Sequence, residues 1–506
     1  MHDVTGENLD VIVVGAGNAA LCAALSAAER GARVLVLEAA PEDERGGNSR
    51  FTGGAFRFAY NGIDDLLKVS PSMADEDLSN VDFGTYTEDQ FFDDMYALTQ
   101  YRTDADLCEY LVRNSLDTAV WMAGHGVKLH PGLGRQAYQV DGKFKFWGGL
   151  ALHINGGGEA LLEALFAKVA ATPAIRVVYE SPAVSLVTEA GRICGVVTRH
   201  DGHDIELRAG AVILACGGFE ANAQMRAEYL GPGWDLAKVR GSRFNMGLGH
   251  RMAMEAGAAP AGHWSGCHAV AWDVNAPPFG DLTVGDQFQK HNYPYGICVN
   301  AKGRRYVDEG ENFHSHTYAK YGGEILKQPG QFAWQIFDDK VTHLLRSEYR
   351  IRRCTKVVAD TLEELAAKME GVDAEGFLAT ARAFNAACRT DVQFDPNILD
   401  GKSTEGLEID KSNWAQPLDS PPFHAYHVTA GITFTFGGLR IDTSSQVQSI
   451  YGSPVEGLYA AGEIAGGLFF HNYASGTGLM SGATFGRQAG RNAADFACAK
   501  GASSAA

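Results

Sequence analysis

The sequence predicts an α/β fold in which a Rossmann-like dinucleotide-binding domain carries an inserted α+β capping domain. Three observations lead to this prediction: a β-α-β pattern near the N-terminus, glycine-rich strands near the C-terminus, and a stretch of different composition between them. The chain has 506 residues, too many for one simple core, which indicates two or three domains. We expect the dinucleotide-binding domain at 1–264 and 421–506, and the capping domain, or lid, at 265–420.

The first element is the β-α-β unit LDVIVVGAGNAALCAALSAAERGARVLVLEAA. Its apolar run Val11 to Val14 is typical of a buried parallel strand, and Asn18 to Arg30 is typical of an alanine-rich helix. Gly15, Gly17 and Ala20 occupy the G-x-G-x-x-G/A positions between strand and helix. The stretch ARVLVLE then returns as a second strand.

Each position of this fingerprint has a physical role. The glycine at 15 permits the turn, the glycine at 17 lets the backbone approach a pyrophosphate, and the small Ala20 lets helix and strand pack closely. Glu38 ends the second strand about 20 residues further on, where an acid binds a ribose hydroxyl. Strand, helix, second strand and acid together predict dinucleotide binding.

The remaining elements follow from periodicity and turn residues. Residues 45–58 form a polar glycine-rich loop, 156–171 a helix, and 245–258 a glycine turn that leads into a helix. Residues 175–218 alternate apolar and polar side chains, which predicts short antiparallel strands ending in a buried strand, Ala211 to Cys216. From about 265 to 420, His, Tyr, Arg and Pro become frequent and regular periods are few, as expected of an inserted lid.

Composition excludes several classes of protein. The net charge of −18 leaves no basic stripe for nucleic acid. The nine cysteines lie singly, as in a reducing compartment, and Cys267-His268 has no companion pair at ligand spacing, so we expect no metal. The sequence shows neither a signal-peptide pattern nor an apolar stretch of about 20 residues. We expect a cytoplasmic protein that can contact the inner membrane at its periphery.

Four motifs carry a family resemblance: Gly15-Ala16-Gly17 with Glu38, RGGNSRFTGG, VILACGGF and GLYAAGE. Their order resembles that of the fumarate reductase/succinate dehydrogenase flavoprotein superfamily, which implies an FAD-binding domain of the GR2-type βαβ fold. The strings GAFRFAYNGIDDLL, GKFKFWGGLALHINGGGE and HNYASGTGLMSGA are most similar to the tricarballylate dehydrogenase group. That group overlaps in sequence with a flavoprotein of cobalamin biosynthesis.

The resemblance implies a flavin site made of glycine-rich turns and a few polar side chains. The fingerprint would hold the pyrophosphate, Glu38 the adenosine ribose, residues 46–54 the isoalloxazine ring, Glu463 the ribityl or ribose hydroxyls, and residues 476–479 the pyrimidine end. Residues 48–50 contain no histidine for covalent attachment, so we expect non-covalent FAD. The full set is Gly15, Gly17, Asn18, Ala19, Ala20, Glu38, Ala39, Gly46, Gly47, Asn48, Ser49, Thr52, Gly53, Gly54, Ala183, Val184, Ala215, Cys216, Gly217, Gly218, Asn245, Gly247, Gly462, Glu463, Ser475, Gly476, Gly478 and Leu479.

Compared with the soluble fumarate reductases, this chain lacks three charged side chains at the corresponding positions. Phe434 stands in place of a substrate-gripping histidine, Tyr473 in place of one arginine, and Phe313 followed by His314 in place of the proton-shuttling arginine. The resemblance therefore implies hydride transfer at flavin N5 without the fumarate-type arginine relay. Oxidation of a C–C bond next to a carboxylate or carbonyl fits better than fumarate reduction.

Candidate catalytic residues come from two stretches. Tyr473 is a polar group for the flavin face or an aromatic wall, and the neighbouring His471 can grip an anion. His314, His316 and Tyr318 alternate along what we expect to be an extended segment, so all three would point to one side as base or carboxylate ligands, or line a solvated loop. Possible cationic clamps are Arg57, Arg135, Lys143 and Lys145.

The favoured function is FAD-dependent α,β-dehydrogenation of a small carboxylate, by resemblance tricarballylate to cis-aconitate. The chain has no C-x-x-C-H haem motif and no cysteine cluster for an iron–sulfur centre, so electrons would leave to a separate acceptor protein, such as a membrane iron–sulfur or haem protein. The alternatives are a ring-ketone or 3-ketosteroid-type dehydrogenase, a fumarate-reductase-like reductase, a precorrin-pathway flavoprotein, and a non-catalytic flavin electron carrier.

Overall fold

The protein is described from a computed structural model that covers residues 9–134, 136–146 and 149–504. Arg135, one of the expected cationic clamps, lies outside these residues. The chain divides into two compact units. Unit 1 comprises Met1–Gly231, Gly241–Cys267 and Phe434–Ala506, and unit 2 comprises Pro232–Arg240 and His268–Thr433. The functional division into a flavin domain and a lid at 265–420 stays a prediction.

Helices and strands are both distributed along the whole described chain. The helices are α1 (Asn18–Glu29), α2 (Ile63–Val69), α3 (Glu88–Leu98), α4 (Ala105–Gly124), α5 (Gly157–Ala170), α6 (Ala223–Met225), α7 (Leu248–Glu255), α8 (His314–Leu326), α9 (Asp339–Thr342), α10 (Leu362–Lys368), α11 (Ala374–Ala387) and α12 (Thr477–Ser504). The strands are β1 (Leu9–Val14), β2 (Val34–Leu37), β3 (Val81–Asp82), β4 (Leu129–Pro131), β5 (Ala137–Val140), β6 (Lys143–Phe146), β7 (Leu152–Ile154), β8 (Ile175–Val178), β9 (Ala183–Glu189), β10 (Arg192–His200), β11 (His203–Leu214), β12 (Lys238–Val239), β13 (Pro260–Asp273), β14 (Ile297–Val299), β15 (Ala333–Phe337), β16 (Lys356–Ala359), β17 (Phe423–Leu439), β18 (Gln446–Gln448) and β19 (Pro454–Ala460).

Unit 1 is organised around an eight-stranded sheet with the order β18-β19-β11-β1-β2-β8 and the β9-β10 extension on β11. Strands β1, β2, β8, β11 and β19 run parallel, so their carboxyl ends meet at one edge. The strands β1 and β2 are buried through their apolar runs, as a parallel sheet covered by helices requires. The predicted Rossmann-like α/β fold is confirmed.

Helices α1 and α12 pack against each other through small residues. A Cβ on Gly486 would lie 2.4 Å from the carbonyl oxygen of Ala19, and one on Gly490 would lie 2.1 Å from that of Ala23. Both glycines therefore let the two helix backbones approach more closely than any side chain would allow. This packing fixes the beginning of α12 beside the fingerprint turn at the beginning of α1, where Nδ2 of Asn18 donates to the carbonyl of Leu479 at 2.8 Å.

Unit 2 contains most of a six-stranded sheet with the order β12-β17-β15-β14, and β13 and β16 also pair with β17. Its own core is formed by apolar side chains of β14, β15, α10 and α11, among them Ile297, Trp334, Leu365 and Phe377. Helices and strands are mixed without a β-α-β repeat, in agreement with an α+β arrangement. In the part of the chain that the structure describes, no helix is both long and apolar enough to span a bilayer.

Two expectations about local structure were wrong. Strand β8 is not part of an antiparallel set, because it pairs in parallel with β2 at the sheet edge; the apolar pattern IRVV does not reveal which strand will be the partner. Residues His314 to Tyr318 are not extended, because they form the first turn and a half of α8. In so short a stretch, alternation and helical spacing give similar patterns.

Candidate active site

The fingerprint turn lies where β1 meets α1. Gly15 has a φ of 103°, and a Cβ there would lie 2.4 Å from the carbonyl oxygen of Ala215, so only glycine fits. Gly17 is the residue before α1 and has no side chain that could cap the helix. The first backbone N–H of the helix, that of Asn18, donates to Oγ of Ser49 at 3.1 Å. Backbone N–H groups at this helix end suit a pyrophosphate.

Glu38 follows β2 at the same edge of the sheet and is 6% exposed. Its Oε1 accepts a hydrogen bond from the backbone N–H of Ala40 at 2.9 Å. Burial raises the pKa of this carboxyl, opposed by backbone N–H groups that include those of Ala16 and Gly46. A buried acid beside the turn fits the ribose-binding role that the fingerprint predicts.

A buried polar network joins the glycine-rich segments of unit 1. Glu220 accepts hydrogen bonds on Oε1 from Nδ2 of Asn48 and from Nδ2 of Asn245, both at 2.5 Å. Glu463 accepts on Oε1 from the backbone N–H of Thr435 at 2.8 Å and from its hydroxyl at 3.2 Å. Three of these residues were predicted cofactor residues, whereas Glu220 and Thr435 were not found from the sequence.

Gly218 explains why this network needs a glycine pair. A Cβ on Gly218 would lie 2.0 Å from Oε1 of Glu463 and 2.4 Å from Oγ1 of Thr435. The neighbouring Gly217 has a φ of 74°, and a Cβ there would lie 2.6 Å from the amide nitrogen of Asn245. Both glycines therefore leave room for polar side chains that converge from other segments.

The start of α12 offers polar groups to a ligand. Among the described residues, the hydroxyl of the fully buried Thr477 has no hydrogen-bond partner. An unsatisfied buried hydroxyl is costly, so it fits an additional polar ligand. Together with the open turn at α1 and the glycine-lined network, it makes unit 1 suitable for FAD. Thr477 also escaped prediction, although it lies between the predicted Gly476 and Gly478.

The other predicted cofactor residues lie in unit 1 around these features. They are Ala19 and Ala20 in the first turn of α1; Ala39 after β2; Gly46, Gly47, Thr52, Gly53 and Gly54 in and on either side of the short helical turn Gly47–Phe51; Ala183 and Val184 at the start of β9; Ala215 and Cys216 after β11; Gly247 before α7; Gly462 after β19; and Ser475 before α12. Burial raises the pKa of the Cys216 thiol to about 12, so this cysteine is an inert, uncharged part of the wall.

Tyr473 belongs to an aromatic group in unit 1. Its ring contacts Phe434 and Phe469 edge-on, with ring centres 5.1 and 5.3 Å apart. Its hydroxyl oxygen accepts hydrogen bonds from the backbone N–H groups of Gly476 at 3.0 Å and Gly478 at 3.1 Å. The phenol thus points at the amino end of α12, where N–H groups stabilise negative charge on an oxygen.

His471 lies near this group and pairs with His263. Its backbone N–H donates to Nδ1 of His263 at 3.1 Å, and the two ring centres are 4.8 Å apart. Burial lowers the pKa of His263, and the charges of His471 and Arg102 lower it further. Two imidazoles and a guanidinium lie close together here, and the role of His471 in binding an anion stays a prediction.

Arg57 forms its hydrogen bonds and its ion pair inside the protein. It is fully buried, forms an ion pair with Asp94 at 2.9 Å, and donates to the hydroxyl of Tyr86 at 2.7 Å and the carbonyl of Ser475 at 2.8 Å. It therefore positions the segment before α12 rather than offering a free clamp. The other expected clamps, Lys143 and Lys145, lie on β6, where Lys145 contacts Asp82 at 3.8 Å.

Unit 2 brings together a second set of chemical groups around Tyr318. The Tyr318 ring centre lies 4.9 Å from that of His268, 4.9 Å from that of His291 and 6.5 Å from that of His314. His314 and Tyr318 are one turn apart on α8 and share a face. His316, two residues along the helix, points elsewhere, which corrects the expectation that all three would line one side.

Two arginines complete this set, which we call the histidine–arginine cluster: His268, His291, His314, Tyr318, Arg240 and Arg346. Arg346 donates to Nε2 of His314 at 2.9 Å. Arg240 follows β12, is almost fully buried, and binds Asp286 at 2.6 Å and the hydroxyl of Thr433 at 3.1 Å.

Burial sets the charge state of two imidazoles in the histidine–arginine cluster. It lowers the pKa of both His268 and His291 well below the ordinary value, and the charge of Arg240 lowers both further. His268 and His291 are therefore neutral at pH 7. Among the described residues, no group of His, Cys, Asp and Glu side chains is arranged to hold a metal ion.

The sequence offered no local signal for most of the cluster, because its members come from segments far apart in the chain. His268 stood out only as part of a Cys-His pair, and Arg240 and Arg346 follow no motif. Glu220 had a signal, since it directly follows the motif VILACGGF.

Comparison with known proteins defines the class to which these sites belong. Residues 10–479 match the family described as "FAD binding domain", and the chain belongs to this family. It is an FAD-dependent oxidoreductase of the fumarate reductase/succinate dehydrogenase flavoprotein superfamily that acts on carbon–carbon bonds.

Three relatives illustrate this membership. "Probable fumarate reductase Ifc3" from Shewanella frigidimarina is 28% identical over 501 residues, which covers 98% of this chain and 76% of that protein. "3-oxosteroid 1-dehydrogenase" from Mycobacterium tuberculosis is 28% identical over 578 residues, covering 98% of this chain and all of that protein. The open conformation of a flavocytochrome c3 fumarate reductase matches with a TM-score of 0.71 and 25% identity, covering 98% of this chain and 80% of that one.

Proposed function

We propose that the protein dehydrogenates a small polycarboxylate, with tricarballylate to cis-aconitate as the favoured reaction. The observation that carries this proposal is the histidine–arginine cluster of unit 2. It combines two guanidinium groups, one of them paired with Asp286, with three imidazoles around one phenol. An overall acidic protein that gathers such groups in one place is suited to bind an anion.

The cluster favours a substrate with more than one carboxylate. Guanidinium groups form short, charge-assisted hydrogen bonds with carboxylates and orient them. The neutral His268 would gain a proton beside a bound carboxylate, because a nearby negative charge favours the imidazolium form. Substrate binding would then take up protons and weaken as pH rises.

Residues of both sites have proposed roles in the reaction. The predicted cofactor residues hold FAD without a covalent bond, and FAD supplies a two-electron hydride acceptor when bound. Arg240 and Arg346 orient the carboxylates, and Tyr318 passes its phenol proton to a neighbouring imidazole and then, as a phenolate, accepts the proton from the carbon next to a carboxylate. The neutral imidazole of His291, 4.9 Å from Tyr318 between ring centres, is the group that receives the phenol proton. The electrons leave to a separate acceptor protein.

A ring-ketone dehydrogenase is the second candidate, because Tyr473 and its aromatic neighbours form an apolar site with one phenol. Its hydroxyl, which accepts from the N–H groups of Gly476 and Gly478, could donate its own proton in a hydrogen bond to a ketone oxygen. The similarity to a protein named 3-oxosteroid 1-dehydrogenase supports this candidate. The two arginines count against it, since a neutral steroid has no carboxylate for them.

An anaerobic spectrum of the purified protein distinguishes the candidates. We expect tricarballylate to bleach the flavin absorbance and cis-aconitate to form in equal amount, whereas a 3-ketosteroid leaves the spectrum unchanged. Bleaching by the steroid alone would replace the proposal with the second candidate. Flavin that is reduced by neither, but is reoxidised by fumarate after chemical reduction, would instead indicate a fumarate-type reductase.

A further inference from the structure

The segment before Tyr473 makes a tight turn centred on His471. The backbone N–H of Asn472 donates to the carbonyl of Phe470 at 2.6 Å, and His471 between them has a φ of 61°. A three-residue turn with a positive central φ is the rare form of the γ-turn, and the left-handed region is unfavourable for a residue with a side chain. The turn therefore depends on contacts that hold it in place.

His263 on β13 supplies such a contact. The backbone N–H of His471 donates to Nδ1 of His263 at 3.1 Å. The imidazole of His263 lies nearly parallel to the ring of Phe470, with an interplanar angle of 9° and ring centres 6.0 Å apart. A Cβ on Gly266 would lie 2.1 Å from Nδ1 of His263, so the imidazole can take this position because residue 266 is a glycine.

The turn is linked directly to the phenol of Tyr473. The backbone N–H of Tyr473 donates to Oδ1 of Asn472 at 2.8 Å, and the hydroxyl of Tyr473 accepts from the N–H groups of Gly476 and Gly478. Asn472 and Tyr473 are buried, whereas His471 is exposed. A different turn at His471 would therefore move Asn472 and shift the phenol relative to the amino end of α12.

The hydrogen bond from His471 requires that Nδ1 of His263 carries no proton. A neutral imidazole accepts on one nitrogen, whereas an imidazolium has an N–H on both nitrogens and only donates. Burial lowers the pKa of His263, and the charges of His471 and Arg102 lower it further, so the imidazole is neutral at pH 7. Protonation at lower pH would break the bond and release the turn.

The elements around His263 do not favour its protonation. From β17 it faces the ring of Phe436, which does not titrate. The loop before α4 contributes the cationic Arg102, while the carboxylate of Asp104 in the same loop caps the beginning of α4. The state of the bond therefore follows the protonation of His263 itself.

We propose that His263 is a positioning residue for Tyr473: its unprotonated Nδ1 holds the turn at His471 and so keeps the phenol at the amino end of α12. The proposal rests on a role of Tyr473 in the reaction and not on which substrate is oxidised. His263 acts through Tyr473, and acid weakens this action because the imidazolium does not accept the N–H of His471.

Hydrogen exchange of the His471 amide in the FAD-loaded protein tests the bond without a substrate. Overlapping peptides analysed by mass spectrometry give the rate, which is divided by the rate of an unstructured peptide at the same pH. From about pH 7.5 to about pH 5.5 we expect the protection of the wild-type amide to fall about three- to tenfold, as the loss of one hydrogen bond implies.

Two substitutions of His263 separate the acceptor from the ring. In His263→Asn, the side-chain carbonyl takes a position similar to that of Nδ1 and accepts at every pH, so protection should stay constant. In His263→Phe, the ring still stacks on Phe470 but has no acceptor, so protection should be low at both pH values. Gly266→Ala should have the same effect as His263→Phe, because the added methyl group displaces the imidazole.

Anaerobic flavin reduction shows whether the turn positions Tyr473. The substrate is whichever of tricarballylate and a 3-ketosteroid bleaches the flavin. At about pH 7.5, the limiting rate should fall about tenfold in His263→Phe and Gly266→Ala, with little change in the half-saturating concentration. On acidification the wild-type rate should fall more than that of His263→Asn. His203→Phe, at an exposed position of β11, is the control and should keep the wild-type pH profile.

Three results would overturn the proposal. The first is an equal loss of His471 protection on acidification in the wild type and in His263→Asn, which would mean that another group titrates. The second is wild-type protection and rate in His263→Phe, or in Gly266→Ala if His263→Phe does not fold. The third is a loss of protection throughout unit 1 with a lower Tm, which would show a role in folding only. If neither substrate bleaches the flavin, the proposed function fails, and the exchange rates still decide whether His263 holds the turn.

Discussion

Arg346 donates a hydrogen bond to Nε2 of His314 at 2.9 Å. Because a guanidinium group only donates, Nε2 of His314 carries the lone pair and the imidazole is neutral, with its proton on Nδ1. The lone pair that a general base would use is occupied by a cation. His314 therefore serves better as a partner that orients Arg346, and our proposed mechanism assigns the role of proton acceptor to the phenolate of Tyr318.

Arg346→Met should weaken the binding of the carboxylate substrate. The variant removes a charge-assisted interaction of about 1.5–3 kcal/mol, so kcat/KM should fall about 10- to 100-fold, mainly through KM. The loss should be larger for a tricarboxylate than for a monocarboxylate tested in parallel. Steady-state kinetics with an artificial electron acceptor measure both values.

Arg382→Met is the matched control, because Arg382 also lies in unit 2 but is 71% exposed and pairs only loosely with Glu363 at 3.5 Å. It should leave kcat/KM unchanged. If the two substitutions had an equal effect on kcat/KM, or if Arg346→Met had none, the histidine–arginine cluster would not bind the substrate.

The flavin half of the protein was predictable because its signals are local. Gly15, Gly17 and Glu38 lie in one β-α-β unit, and its apolar runs, alanine-rich helix and glycine positions identified its strands and helix. The histidine–arginine cluster was not predictable in this way, because Arg240 and Arg346 meet their partners only through the tertiary fold of unit 2. His314 and Tyr318 were predicted as candidates, but the expectation that they lie on an extended segment was wrong, because they lie one turn apart on α8.

Tyr473→Phe should slow reduction of the flavin by substrate. The phenyl ring keeps the contacts with Phe434 and Phe469 but loses the oxygen that accepts from the N–H groups before and within α12. If the phenol assists the reaction, the rate in anaerobic stopped-flow measurements should fall about 100-fold. Tyr451→Phe, at a position that is 89% exposed in the same unit, should have no effect. A rate close to that of the wild type would mean that Tyr473 only lines the site with its aromatic ring.

Gly218→Ala should lower the amount of FAD that the purified protein carries. The added methyl group would meet Oε1 of Glu463 at 2.0 Å and Oγ1 of Thr435 at 2.4 Å, so both side chains must move. We expect the Kd for FAD to rise about tenfold or more. Gly124→Ala, at the end of α4 with open space around it, should keep full FAD content and be stabilised by up to about 1 kcal/mol. Equal FAD content in the two variants would contradict the crowding argument.

His250→Phe should make unit 1 less sensitive to acid. The imidazole is fully buried, its ring centre lies 5.9 Å from that of Phe219 and 5.6 Å from that of Trp264, and burial lowers its pKa to about 4. In the unfolded chain the pKa is about 6.5, so between pH 6.5 and 4 the unfolded state binds a proton that the folded state does not. Stability is therefore lost as pH falls through that window, by about 3 kcal/mol at most.

The thermal unfolding temperature at pH 7 and pH 5 measures this effect. Phenylalanine keeps the edge-on ring contacts and cannot titrate, so the decrease in Tm on acidification should be smaller than in the wild type. His203→Phe, on the exposed part of β11, is the control, and its Tm should decrease on acidification by the same amount as that of the wild type. If the His250→Phe protein also follows the wild-type decrease, then His250 is already protonated at pH 5 or reaches water before the protein unfolds.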